Sequence, residues 1–334
     1  MRIRVRGWIA GRVITSPFPN SKAIAGHDCV IRNFHWRTRL NYTGTMFRRR
    51  KFRLRLPSRT LVLGERTLIM GVVNVTPDSF SDGGQCLDTQ DAVERALKME
   101  AEGADIVDIG GESTRPGSSR VSVEEELARV MPVLEALRGK LRIPISIDTR
   151  KAGVARAAAR AGAEIVNDVS ALRFDAELGE VVRRARVPIV LMHMRGEPAT
   201  MQEGPFARNV LRDVSAGLRA AAACARRAGI ARSQVVLDPG IGFGKNYHQN
   251  FKLLACLPQL ATLGYPLLMG TSRKAFLGAA LGSAASPAPP EERIWGTAAT
   301  VTSAILGGAH IIRVHDVKEM VQVARVADLI ASEA

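Results

Sequence analysis

Carboxylate, amide and ammonium side chains follow several short apolar runs of this chain, and together they could bind a polar ligand. They are Asp148, Asn167, Asp238 and Lys274. A buried carboxylate is costly unless it is hydrogen-bonded, so converging side chains of this kind would require a polar partner. Taken singly, each would more often be a structural residue at the end of a strand.

Arg313 and His315 form a second candidate pair, because they lie two residues apart at the end of the last apolar run. Alternate residues of a strand point the same way. Phosphate sites of barrel enzymes often lie near the last strands. The pair therefore suits an anionic group, whereas His310 and His248 have no comparable surroundings and are interpreted as structural or surface residues.

Two long loops, 74–84 and 110–119, follow the first and second apolar runs. Both are rich in Gly, Ser, Pro and short polar side chains, which disfavour regular structure. Loops of this length are uncommon between barrel elements unless they are functional. We therefore expect both loops to cover a site, with ordinary surface loops as the alternative.

Short apolar runs that alternate with stretches of helical composition predict the elements that must position these residues. The runs are 68–75, 106–109, 144–147, 165–166, 189–192, 235–237, 267–269 and 311–314. The predicted helices are 91–103, 122–137, 152–161, 177–185, 209–228, 251–263, 275–281, 295–306 and 317–332. Such alternation indicates parallel βαβ units.

Eight such units fit an α/β fold of the (β/α)8 TIM-barrel class, whose reactive groups collect at the C-terminal ends of the strands. The alternative is an open doubly wound sheet, which usually carries one glycine-rich nucleotide loop. No GxGxxG follows any run, and the glycine-rich segment 238–245 has neither P-loop nor dinucleotide spacing. The barrel is therefore favoured.

The net charge of +15 over 334 residues is concentrated in the N-terminal part of the chain. Residues 1–60 contain 15 Lys or Arg against one acid, Asp28, whereas 61–334 contain 32 basic and 31 acidic residues. We expect 1–60 to be a basic, largely disordered extension and 61–334 to be the catalytic barrel.

Three interpretations of the basic extension stay open. It could be an arm attracted to nucleic acid or anionic lipid, an organelle-targeting segment, or a dispensable extension with Met46 as the true start. No nucleic-acid partner is expected for the barrel.

No run of about 18 uncharged apolar residues occurs, so no membrane span is expected. Four cysteines without metal-ligand or CxxC spacing predict free thiols and a cytoplasmic location.

Eight stretches of the chain, in order, resemble the dihydropteroate synthases. They are 74–84, 110–117, 146–149, 167–168, 191–194, 237–245, 272–274 and 313–316. Two of the motifs, NVTPDSFSDGG at 74–84 and GESTRPG at 111–117, are highly specific. The resemblance covers about residues 61–334. It implies a (β/α)8 enzyme that joins (7,8-dihydropterin-6-yl)methyl diphosphate to 4-aminobenzoate with loss of diphosphate, using Mg²⁺ as cofactor.

The resemblance also implies roles for particular residues. A pterin ring presents an edge of N–H donors and a ring carbonyl. The N–H groups could donate to Asp148, Asn167 and Asp238, and the carbonyl could accept from Lys274. The remaining implied contacts divide between the two substrates. The diphosphate would be held by Asn74, Arg313 and His315, and Asn74 would also be a magnesium ligand. The 4-aminobenzoate would be surrounded by Ser272, the helix N-terminus near Arg273, Thr114, Pro116, Phe80 and Phe243. Met194 would also contact substrate.

The expected mechanism is dissociative, with diphosphate leaving before the arylamine attacks. Asp148 would stabilise the cation that forms, Lys274 would position the substrate, and Arg115 would stabilise an anion or lock the closed loops. Asp108 is predicted to be a buried carboxylate, and its partner stays open. Phe80 could instead be loop packing.

Two other functions compete with this interpretation. A pterin-binding methyltransferase shares the Asp and Asn edge but would not need residues 272–274 together with GESTRPG. A non-catalytic paralogue would usually show eroded loops, and these loops are intact. The resemblance further implies a homodimer formed through helices on the side of the barrel.

Overall fold

The structure is a computed structural model that describes residues 49–76, 84–113, 118, 120–197, 200–204 and 206–333, without the side chains of 84–88. Its strands comprise one short hairpin followed by the eight predicted barrel strands. They are β1 Phe52–Arg55, β2 Thr60–Leu63, β3 Leu68–Asn74, β4 Ile106–Gly110, β5 Ile145–Asp148, β6 Ile165–Asp168, β7 Ile189–Met192, β8 Val235–Asp238, β9 Leu268–Met269 and β10 Ile311–Val314.

Strands β3 to β10 are parallel, and each of them pairs with its neighbours around a ring. β3 pairs with β4 and so on to β8, while β10 pairs with both β9 and β3. A single parallel bridge between Leu237 and Leu267 connects β8 to the β9 segment. The (β/α)8 barrel predicted from the alternation is therefore confirmed.

Helices cover the outside of the barrel and follow the predicted order. They are α1 Gly84–Ala101, α2 Val123–Leu137, α3 Ala152–Ala161, α4 Leu178–Ala185, α5 Val210–Arg227, α6 Tyr247–Ala255, α7 Leu257–Ala261, α8 Ala275–Leu281, α9 Ile294–Leu306 and α10 Val317–Ser332. None of the described helices is both long and apolar enough to cross a bilayer.

Local sequence explains where several helices begin and end. The Ser122 hydroxyl accepts the backbone N–H of Glu125, which caps α2. Gly162 ends α3 in the left-handed conformation that glycine adopts without strain. The predicted helix 251–263 is instead two helices, and Pro258 lies in the first turn of the second, where its missing N–H costs nothing.

The hairpin β1–β2 corrects the predicted boundary at residue 60, because residues 52–60 are ordered and belong with the barrel. The segment FRLR alternates, so Arg53 and Arg55 are exposed while Leu54 is buried. This period-two pattern predicts a half-buried strand, but the basic composition of residues 1–60 obscured it. Residues 1–48 of the predicted extension lie outside the described residues.

The hairpin closes the N-terminal end of the barrel. Leu54, Leu56 and Leu63 pack in one cluster with residues from every barrel strand except β5, including Met70 and Val236. Arg49 fastens the start of the hairpin by pairing with Asp328 of α10 and donating to the Thr67 hydroxyl at 2.7 Å. The barrel interior is therefore apolar at this end.

We expect Leu54→Ala to lower the free energy of unfolding by about 2–4 kcal/mol, because it removes a fully buried side chain from this cluster. Val62→Ala on the partner strand, where the side chain is exposed, should cost less than about 1 kcal/mol. Denaturant unfolding measures both. Equal effects would show that the hairpin does not form part of the folded core.

Candidate functional site

The four residues predicted to bind a heterocycle lie around one rim of the barrel. Asp148, Asn167 and Asp238 lie at the C-terminal ends of β5, β6 and β8, and Lys274 directly precedes α8. Asp148 and Asn167 are register partners on adjacent strands, so their side chains point to the same side of the sheet. Lys274 is close enough to Asp148 and Asp238 for both carboxylates to affect its pKa.

Arg313 of β10 lies between two carboxylates inside this rim. Its Nε donates to Asp108 Oδ2 at 2.6 Å, and its Nη2 donates to Asp148 Oδ2 at 2.8 Å. Charge-assisted hydrogen bonds of this length are stronger than neutral ones. Arg313 therefore joins β4, β5 and β10 across the barrel interior.

Asp108 is fully buried on β4, and the structure supplies the partners that the sequence left open. Its Oδ2 accepts from the Asn167 amide at 2.9 Å as well as from Arg313. Among the described residues, Asp108 Oδ1 and the hydroxyl of Ser146, its register partner on β5, have no hydrogen-bond partner. Asp108 thus orients both a predicted pterin residue and a predicted diphosphate residue.

Burial weakens the acidity of the two rim carboxyls. Desolvation raises the pKa of Asp148 to about 7. The positive charge of Arg313 lowers this pKa, and the negative charge of Asp108 raises it further. Desolvation also raises the pKa of Asp238 to about 6. The Gly240 N–H, which donates to Asp238 at 2.7 Å, and the positive charge of Lys274 both lower this pKa. Both carboxyls therefore change protonation near neutral pH.

Lys274 lies against an aromatic ring, with its Nζ 4.2 Å from the centroid of Phe243. An ammonium over a ring face is attracted by the ring quadrupole. Burial lowers the pKa of Lys274 to about 8, with further lowering by the charge of Arg313. The group remains mostly protonated at pH 7, which agrees with a positioning role.

Ser272 and His315 contact each other beside Arg313. The Ser272 hydroxyl lies 3.0 Å from His315 Nδ1 and accepts the His315 backbone N–H at 3.2 Å. Burial and the charge of Arg313 lower the pKa of His315 to about 3. His315 is therefore a neutral N–H donor, and the positive charge of the pair comes from Arg313.

The backbone donor predicted near Arg273 needs correction. The helix begins only at Ala275, and the Arg273 N–H already donates to the Thr297 hydroxyl at 3.2 Å. The Arg273 guanidinium pairs with Asp316. Arg273 also adopts a positive φ of 58°. Its contacts with Thr297 of α9 and with Asp316, which follows β10, hold the turn in this conformation.

Met194 and Phe243 are near each other at the same end of the barrel. They belong to a small apolar cluster with Val169, Met192 and Met201, separate from the main core. Four other predicted site residues, Phe80, Thr114, Arg115 and Pro116, lie outside the described residues. Asn74 ends β3 and is in register with Gly110, the β4 partner of Asp148.

A buried ion cluster that no sequence pattern predicts lies around Glu112, at the described start of the second loop. Glu112 accepts from Arg150 and from Lys151, each at 2.8 Å, and Lys151 also pairs with Glu126. Glu112 lies within the GESTRPG motif, but its partners are 38 and 39 residues away and no local spacing links them. The cluster fixes the base of the loop to β5 and α2.

Known proteins resemble this chain closely. A family model described as pterin binding enzyme matches residues 70–315. Dihydropteroate synthase of Synechocystis sp. is 49% identical over 265 residues, which cover 79% of this chain and 90% of that protein. Xanthomonas albilineans dihydropteroate synthase solved with 4-aminobenzoic acid is 44% identical, with TM-score 0.78, and covers 84% of this chain and 98% of that one. The same enzyme with 7,8-dihydropteroate is 42% identical, with TM-score 0.74, over 83% of this chain and 98% of that one.

We expect Asp108→Asn to lower the free energy of unfolding by about 2 kcal/mol, because a neutral amide replaces a carboxylate that accepts two buried hydrogen bonds. The matched change Asp91→Asn on the exposed face of α1 should stay within about 0.5 kcal/mol. Urea unfolding of the two variants compares them. A loss no greater than that of the control would mean that Asp108 does not hold Arg313 and Asn167.

Proposed function

The chain belongs to the pterin-binding enzyme family and catalyses the dihydropteroate synthase reaction of folate synthesis, and we propose that it does so by a dissociative mechanism centred on Asp148. The substrates are (7,8-dihydropterin-6-yl)methyl diphosphate and 4-aminobenzoate, and the products are 7,8-dihydropteroate and diphosphate. The observation that most supports this proposal is the convergence of Asp148, Asn167, Asp238 and Lys274 around Arg313 at one rim.

The rim residues match the hydrogen-bonding pattern of a pterin. Asp238 and Asn167 offer acceptors to its N–H edge, and the Lys274 ammonium offers a donor to its carbonyl. Asn167 already donates its amide N–H to Asp108, which fixes the amide so that its oxygen is free to face the ligand. Buried polar groups are costly unless they are hydrogen-bonded, so this cradle favours a ligand that completes the hydrogen bonds.

The proposed reaction begins when the bond between the pterin methylene carbon and the diphosphate oxygen breaks. The bonding electron pair leaves with diphosphate, and the methylene carbon becomes a cation conjugated with the dihydropterin ring. The arylamine nitrogen then attacks this carbon, and its proton passes to solvent. Ionised Asp148 stabilises the cation electrostatically, which is the kind of stabilisation that acts most strongly in a buried site.

The diphosphate is proposed to lie against Arg313 and His315. Arg313 uses one N–H of Nε and one of Nη2 on the two carboxylates, which leaves other guanidinium N–H groups for phosphate oxygens. His315 contributes a neutral donor. The charge of Arg313 therefore serves both Asp148 and the leaving group.

We place 4-aminobenzoate between the Lys274–Phe243 pair and the second loop. The stem of Lys274 and the ring of Phe243 offer an apolar wall, and Ser272 offers a hydroxyl to the carboxylate. Phe80, Thr114 and Pro116 complete this wall in the proposal. Arg115 stabilises an anion or locks the loops, and Met194 contacts the substrates from the small apolar cluster.

Magnesium is part of the proposal, with Asn74 as the protein ligand. Among the described residues no group of three His, Cys, Asp or Glu side chains could hold a metal. One amide oxygen fits Mg²⁺ because this ion keeps several waters and takes phosphate oxygens. Bound there, the ion would supply positive charge to the leaving diphosphate.

We also propose that two copies associate through helices on the side of the barrel and that the enzyme works in the cytoplasm. Exposed apolar side chains on these helices support association; Trp295 is 78% exposed and Leu329 is 68% exposed. The thiols of Cys224 and Cys256 are free, which suits a reducing compartment.

Asp148→Asn should lower kcat by about 100-fold or more while it raises the KM for the pterin substrate by less than about 5-fold, because the charge matters most when the cation forms. Asp238→Asn should do the reverse and act mainly on KM. Steady-state kinetics and pterin binding separate these effects. Equal losses in kcat and binding for Asp148→Asn would reduce Asp148 to an anchor.

Diphosphate release measured with and without 4-aminobenzoate tests the order of steps. A dissociative reaction should release diphosphate in a single turnover without the amine, as water captures the cation. In that first turnover the release rate should change little when 4-aminobenzoate is present, because the amine attacks after the bond has broken, and dihydropteroate should then form in equal amount. If no diphosphate appears until the amine is added, the bond changes are concerted; if dihydropteroate never forms, the assigned function is wrong.

A further inference from the structure

Lys245 is a fully buried lysine in the loop between β8 and α6 that has no part in the mechanism above. Its Nζ donates to the carbonyl oxygens of Phe243 at 2.8 Å and His193 at 3.2 Å, and lies 3.1 Å from His193 Nδ1. An ammonium has three N–H donors, and here each has an acceptor. Lys245 therefore connects its own loop to the segment that follows β7.

The two segments approach each other so closely that glycine is needed at the contact. Gly240 and Gly244 have φ angles of +68° and +65°. A Cβ at Gly240 would lie 1.9 Å from the His193 carbonyl oxygen, and one at Gly244 would lie 2.1 Å from the Arg195 carbonyl oxygen. The loop thus packs its backbone directly on residues 193–195, and Lys245 fastens this contact.

His193 is an acceptor for Lys245 because it is neutral. Burial and the charge of Lys245 lower the pKa of His193 to about 3, which leaves a lone pair on Nδ1. Its Nε2 faces Asp213 Oδ2 of α5 at 3.6 Å. Gly217 makes room for the ring, since a Cβ there would lie 2.4 Å from His193 Cδ2.

This arrangement acts on two residues of the proposed site, Phe243 beside 4-aminobenzoate and Asp238 beside the pterin. Lys245 binds the carbonyl of Phe243, whose ring lies over the Lys274 ammonium. The positive charge of Lys245 also opposes the rise in the pKa of Asp238 that burial causes. A change at Lys245 would therefore reach both Phe243 and Asp238 without any contact with substrate.

We propose that Lys245 is a positioning residue of the pterin site, whose ammonium fixes the β8–α6 loop, holds Phe243 against Lys274 and places a positive charge near Asp238. This rests on the proposed role of Asp238 as an acceptor for the pterin N–H edge. The charged groups that face Lys245 are Asp238 of β8, Asp213 of α5, Lys274 before α8 and Arg173 after β6.

The direction of the pH effect follows from these charges. Burial lowers the pKa of Lys245 to about 7, so the ammonium is charged below that pH. Asp238 accepts pterin N–H groups through both oxygens, and most strongly, when it is ionised, which is the form above about pH 6. Without the charge of Lys245, Asp238 should protonate at higher pH, and pterin affinity should decline earlier as the pH falls.

The test compares binding of 7,8-dihydropteroate by the full chain between pH 5 and 9, using calorimetry. Lys245→Met should weaken binding about 10-fold at pH 7 and move the acidic limb of the affinity profile upward by about half a pH unit or more. Lys245→Gln keeps N–H donors without the charge, so it should move the limb equally with a smaller loss of affinity. Lys252→Met, an exposed change on α6, is the matched control and should behave like the unaltered protein.

An acidic limb that stays in place in both folded Lys245 variants would overturn the proposal, even with weaker binding, because that result describes a purely structural lysine. The same shift in Lys252→Met would overturn it as well. Failure of the unaltered protein to bind dihydropteroate would instead contradict the proposed function. The two failures are therefore distinguishable.

Discussion

The site depends on one guanidinium that holds two carboxylates inside a barrel. Asp108 and Asp148 lie on adjacent strands, where burial and the negative charge of Asp108 disfavour the ionised form of Asp148. Arg313 reaches both from β10 and donates to each. Removing one partner of a buried ion pair leaves an uncompensated charge, so each member depends on the others. This constraint explains why polar groups from distant parts of the chain meet at one rim.

The barrel can accommodate this polar rim because its other end is apolar. The hairpin β1–β2 covers the N-terminal end and packs leucines against the inner residues of the strands. Hydrophobic burial there, and between the strands and the helices, supplies the stability that the charged rim does not. The molecule thus separates the end that stabilises the fold from the end that carries the candidate site, as is usual for barrels of this class.

Incomplete compensation of buried charge also serves the chemistry. Asp148 and Asp238 have raised pKa values, and Lys274 and Lys245 have lowered ones, because desolvation exceeds the attraction from their partners. Groups held in this way respond strongly to a ligand that changes the local charge. A cation that forms beside Asp148 would relieve the cost of keeping that carboxylate ionised.

The sequence by itself determined the order of the barrel elements and most of the rim. Apolar runs that end in polar residues predict buried parallel strands with side chains at their C-terminal ends, so Asp148, Asn167 and Asp238 could be placed at one rim from their positions. Their assignment to a ligand also needed the resemblance of the motifs around them. The caps at Ser122 and Gly162 were equally local. The alternation of Phe52–Arg55 was visible too, although the positive charge around it obscured the hairpin.

Only the tertiary structure decided which polar groups are partners and which are charged. Arg313 meets Asp108 across 205 residues of chain, and Lys245 meets His193 across 52. No local pattern encodes such contacts, because barrel closure and loop packing create them. Burial likewise turned His315 into a neutral donor, since desolvation depends on the surrounding fold rather than on neighbouring residues in sequence.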